Sequence, residues 1–126
     1  MPKQVPSLEG VPAPVGPYSL VTEAAGLVFV SGQVALDPDG GPVPDDVEAQ
    51  TELVMRNIGR ILEGLGLGYD DICKTTIFLA DIGDFAAVNR VYASFFEDAP
   101  PARSTVQAGA LPRPEFKVEI EVIAAR

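Results

Sequence analysis

Near the end of the chain Val118, Ile120 and Val122 alternate with Lys117, Glu119 and Glu121. This period of two marks a strand with one apolar and one charged face. Earlier the period changes. Asp45 and Glu48 form a capping box with Asp in place of Ser or Thr, and behind it Val47, Val54, Ile58, Ile61, Leu62 and Leu65 recur at helical spacing. That helix is expected to stop in Gly64-Leu65-Gly66-Leu67-Gly68. Residues 27–31 are apolar on both faces and predict a strand covered on both sides. Residues 72–79 are β-branched and aromatic and predict another. Asp81 or Asp84 is expected to cap a second helix with an apolar stripe of Phe85, Val88, Tyr92, Phe95 and Phe96, stopped by Pro100 and Pro101. Residues 103–108 and 116–124 supply the last two strands.

The order is thus β-β-α-β-α-β-β in one domain, residues 1–126, with no internal repeat. Residues 1–17 hold five prolines besides Gly10 and Gly16 and predict an extended arm ending in Gly16-Pro17-Tyr18. Strands in pairs around two helices place both helices on one face of a mixed sheet, an α+β architecture. The helices should lie on Val118, Ile120 and Val122. The opposite face carries Glu119 and Glu121, and receives Arg103 and Thr105 as well if the preceding strand runs antiparallel in matching phase. Leu27 and Phe29 make that face partly apolar, which invites self-association.

Composition narrows the chemistry. The chain of 126 residues is 47% hydrophobic, yet no apolar run approaches the ~18 residues of a membrane span. The opening Met1-Pro2-Lys3-Gln4-Val5-Pro6 lacks the apolar core of a secretory signal, so a cytoplasmic protein is expected. A net charge of −9 repels phosphate backbones and argues against nucleic acid as a partner. There is no histidine, and Cys73 is alone, which excludes an internal disulfide and a Cys-based zinc site within the chain. Cys73, beside Ile72 at a strand start, is expected to be a buried structural thiol. What remains is a guanidinium, Arg103, and a carboxylate, Glu119 or Glu121, carried by two short strands into the same neighbourhood. Such a pair grips a small carboxylate and steers a water.

Six blocks then occur in order: Gly16-Pro17-Tyr18, Val30-Ser31-Gly32-Gln33, Lys74-Thr75-Thr76-Ile77-Phe78-Leu79-Ala80-Asp81, Phe85-Ala86-Ala87-Val88-Asn89, Pro101-Ala102-Arg103-Ser104 and Val118-Glu119-Ile120-Glu121. Together they resemble the reactive intermediate deaminase family, RidA/YjgF, from about residue 15 onward. The resemblance implies a chorismate-mutase-like α+β fold and a homotrimer with three sites in clefts between subunits. It further implies hydrolysis of 2-imino or 2-enamino acids, such as 2-aminoacrylate, to 2-keto acids and ammonia, with no cofactor.

Carried over by motif, Arg103 holds the substrate carboxylate, because a planar guanidinium fork matches two carboxylate oxygens. Glu119 polarises the attacking water and passes protons. Motif position alone separates Glu119 from Glu121. Thr105 stands where many bacterial relatives carry a cysteine; its hydroxyl still positions a carbonyl or water but supplies no thiolate. Tyr18 covers the substrate, Ser31 and the Gly32 N–H border its imine end, and Asn89 bonds across the cleft. One alternative stays open, a non-catalytic protein that binds small carboxylate metabolites on the same fold. Ribonuclease chemistry, a label also attached to such proteins, suits an acidic chain without histidine poorly.

Overall fold

The computed structural model describes residues 2–126; Met1 and its part in the predicted arm lie outside the described residues. Seven regular elements follow the expected order: β1 (Val21–Ala24), β2 (Leu27–Gln33), α1 (Val47–Gly64), β3 (Ile72–Leu79), α2 (Phe85–Ala93), β4 (Ala102–Gln107) and β5 (Val118–Ala125). The sheet order is β1-β2-β5-β3-β4. β5 is central because its alternation gives it one wholly apolar face, and Val118, Ile120, Val122 and Ala124 are buried beneath the helices. β2 and β3 flank it antiparallel, whereas β4 joins the outer edge of β3 in parallel, so the sheet is mixed.

α1 starts one residue later than the capping-box reading placed it. Asp46, not Asp45, is the N-cap; its extended backbone lets the carboxylate accept the Ala49 N–H at 3.0 Å. At the other end Gly66 takes φ +76°. The Leu67 and Gly66 N–H groups then donate to the Leu62 and Glu63 carbonyls, closing the helix with a left-handed glycine. Val54, Ile58, Ile61 and Leu62 are fully buried along the predicted stripe, and Met55 is buried with them. α2 ends at Ala93, well before the two prolines. The Phe95 and Phe96 N–H groups reach back only three residues, to the Tyr92 and Ala93 carbonyls, so both rings sit in tight turns beyond the helix. They still close the core edge against Tyr69 and Tyr92.

Two further expectations are corrected. Cys73 is exposed, not buried, because the β3–β5 register shifts between Ile72 and Lys74 and the extra residue turns outward. β2 is covered on one side only: Val28 and Val30 are buried, while Leu27 and Phe29 are 38% and 39% exposed on the open face. The proline-rich segment is extended but docked. Gln4 exchanges two backbone hydrogen bonds with Glu23 on the outer edge of β1, and Leu8 and Val11 pack on the core.

Candidate active site

Strand register decides which way each candidate side chain leaves the sheet. On β4, Arg103 is paired with Thr75 and Thr105 with Ile77. Thr75 and Ile77 are fully buried on the helix side, so Arg103 and Thr105 face the helices too. On β5, Glu119 lies opposite Phe78 and Glu121 opposite Thr76, in the other phase, toward the open face. The expected common neighbourhood of Arg103 and Glu119 within one chain is therefore wrong. β3 separates β4 from β5, and the guanidinium and the carboxylate point to opposite faces.

Each face holds a coherent half of the expected set. On the helix side the Arg103 guanidinium carbon lies 5.1 Å from the Tyr92 ring centre and 5.5 Å from that of Phe85, both on α2. A cation this near two ring faces is attracted to them without using its N–H donors. None of the ion pairs among the described residues involves it. Asn89, one turn along α2, lines the same crevice with Arg103, Pro100 and Pro101. Thr105 follows on β4 with its Oγ1 buried and without a hydrogen-bond partner among the described residues. A buried, unpaired hydroxyl is costly and calls for an outside partner.

On the open face a cavity of about 760 Å³ is lined by Tyr18, Ser31, Gly32, Glu119 and Glu121, with Pro12, Val15, Leu20, Leu36 and Phe116 as apolar walls. The β2–β5 register shifts between Val30 and Gln33, so Ser31 and Gly32 together oppose one residue of β5. This bulge brings Gly32 against Glu119, and a Cβ there would collide with Glu119 Oε2. The Ser31 hydroxyl donates to the Ser19 carbonyl at 2.6 Å, and the Tyr18 hydroxyl accepts the Val15 N–H at 3.2 Å, which ties the arm to the cavity mouth. Burial pushes the Glu119 carboxyl above its ordinary range, and the neighbouring Glu121 charge adds to the rise.

The structure thus groups Arg103, Thr105 and Asn89 on one face and Tyr18, Ser31, Gly32 and Glu119 on the other. Sequence reasoning missed Phe85 and Tyr92, which it assigned to the core. Their spacing of seven on one helix face was visible, but only the register with Arg103 reveals a platform. It also set Glu121 aside, although that carboxylate shares the Glu119 cavity. No cluster of metal-ligating side chains occurs among the described residues.

A family model described as Endoribonuclease L-PSP matches residues 9–126, and matching proteins carry RidA and Rid-family names. The chain belongs to the RidA/YjgF family. It is 50% identical over 123 residues to "Reactive Intermediate Deaminase A, chloroplastic" of Arabidopsis thaliana, covering 97% of this chain and 65% of that protein. It is 43% identical to "2-iminobutanoate/2-iminopropanoate deaminase" of Salmonella typhimurium, covering 94% of each. The crystal structure of the Rid-family protein YyfA from Yersinia pestis superposes with a TM-score of 0.92 at 42% identity, over 99% of this chain and 100% of that one. The RidA/YjgF fold accounts for two helices on one side of a mixed sheet. No helix among the described residues is long and apolar enough to cross a membrane.

Proposed function

We propose that this protein hydrolyses 2-imino and 2-enamino acids, such as 2-aminoacrylate, to 2-keto acids and ammonia, at sites built between the chains of a homotrimer. One observation carries the reading: a guanidinium over two rings, without an ion-pair partner among the described residues and beside an orphaned hydroxyl, faces away from the carboxylate that would complete it. Halves on opposite faces become a whole when the Arg103 side of one chain meets the open face of another. Exposed Leu27, Phe29 and Val106 support such packing. The deaminase names of relatives that this chain matches over nearly its full length point to the same chemistry.

In this reaction Arg103 holds the substrate carboxylate through its two-pronged edge. A water near Glu119 attacks C2 of the imine, forming the new C–O bond while the imine nitrogen takes a proton. Glu119 accepts a proton from that water and returns it as the carbinolamine collapses to the keto acid and ammonia. A carboxyl raised by burial suits both roles. Thr105 and Asn89 orient substrate oxygen or water. Tyr18, Ser31 and Gly32 border the other side. A cytoplasmic place of action belongs to the same proposal. Arg103→Ala is expected to abolish keto-acid release from imines generated by an amino-acid oxidase while leaving the assembly intact. Full activity in that variant removes the mechanism.

Thr105, which supplies no thiolate, favours a second reading in which the cleft binds a small carboxylate without turnover. Thermal stabilisation by 2-ketobutyrate with no acceleration of imine hydrolysis is its signature. The endoribonuclease description of the family model finds no support in a chain with net charge −9 and no histidine.

A further inference from the structure

Beneath the Arg103 platform lies a hydroxyl pair that the chemistry above does not use. Thr75 Oγ1 and the Tyr92 hydroxyl are 2.7 Å apart and bonded to each other. Thr75 is fully buried on β3, directly across from Arg103 in the β3–β4 register. Tyr92 is 5% exposed. One side of its ring meets Phe96 at 4.9 Å and the ring also carries Arg103 at 5.1 Å. We propose that Thr75 and Tyr92 are positioning residues that set the plane of the Arg103 guanidinium for its carboxylate, an inference that rests on the reading of Arg103 as the carboxylate fork.

The geometry of α2 gives the bond its importance. Tyr92 is the next-to-last residue of a nine-residue helix, where the α-helical bonds give way to three-residue turns. Packing alone fixes a ring's depth but leaves it free to slide along its neighbours. A hydrogen bond from the ring's far end to the strand adjoining Arg103 removes that freedom. It references the platform to the sheet that also carries the guanidinium. Phe85, the other ring, is 41% exposed and has no polar anchor, so it confines the fork without orienting it. Burial raises the Tyr92 phenol, which keeps it neutral and its ring face attractive to a cation.

Stability alone does not require these hydroxyls. Replacing both partners of a buried hydrogen bond with apolar groups of the same shape is nearly neutral, whereas replacing one leaves the other unsatisfied. The double variant therefore separates a structural role from a positioning one. Tyr92→Phe, Thr75→Val and the pair together are assayed with oxidase-generated imines and titrated with 2-ketobutyrate, alongside thermal melts. Each single variant is expected to raise KM and weaken 2-ketobutyrate binding about five-fold, with kcat within about two-fold of wild type. The double variant should be no worse than either single one, since the two act as a unit. Its melting temperature should return toward wild type while its KM stays raised. Thr75→Ser, which keeps the hydroxyl, should restore KM.

Recovery of KM together with stability in the double variant, or singles that leave KM unchanged, overturns the inference. Arg103→Ala in the same series tells this failure from a failure of the underlying reading. If Arg103→Ala loses 2-ketobutyrate binding and the Tyr92 and Thr75 variants do not, only the positioning role falls. If Arg103→Ala binds 2-ketobutyrate as wild type does, both fall.

Discussion

Glu119 and Glu121 sit two residues apart on β5 and line one cavity, so the charge of one is felt by the other. In the proposed reaction Glu119 must be ionised to take a proton from water, and its raised pKa means that ionisation is lost at a higher pH than for an ordinary glutamate. Glu121→Gln removes the smaller of the two causes, leaving burial in place. The acid limb of the kcat/KM profile should therefore move to lower pH without reaching the ordinary carboxylate range. A limb that stays put in that variant would show that Glu119 does not set it. At this scale the sequence was legible where a pattern had a period. The alternation along β5 correctly placed both carboxylates on one face. β4 reads Ala-Arg-Ser-Thr-Val-Gln and has no apolar alternation, so nothing local set its phase. Arg103 was consequently assigned to the wrong side, and only the pairing with β3 corrects it.

Elements were legible from their periodicity and blurred at their ends. Both helices followed from spacing and four strands from alternation or composition, whereas β1 had no residues assigned to it. Which of two adjacent aspartates caps α1 did not, because either supplies a short carboxylate and the choice depends on backbone angles. The cap assignment makes a direct prediction: Asp46→Ala should cost about 1 kcal/mol in denaturant melts, and Asp45→Ala much less. Equal losses would return the cap to an ambiguous pair. Bulges were the other blind spot. One extra residue reverses the phase of everything after it. At Ile72/Lys74 this turned a thiol outward that its apolar neighbours had seemed to bury. At Val30/Gln33 a second bulge places Ser31 and Gly32 at the cavity beside Glu119.

For the whole molecule, the division of the candidate residues between two faces makes assembly part of the proposed chemistry. Arg103→Ala and Glu119→Gln chains, each inactive alone, should regain activity when refolded together. Random mixing at equal amounts pairs an intact Arg103 with an intact Glu119 at about a quarter of the interfaces. No recovery in verified mixed assemblies would sink the shared site. The family resemblance supplied the number three and the clefts between subunits. The chain's own residues supplied only a partly apolar face in need of cover, since no single-chain pattern encodes how many copies meet.

Because the guanidinium and the carboxylate leave the sheet in opposite directions, the proposed shared site makes a solitary chain inert. Turnover then depends on encounters: near the point where assemblies come apart, halving the amount of protein removes more than half of the output. An enzyme built on that proposal is self-limiting when scarce, and dilution alone is expected to switch it off.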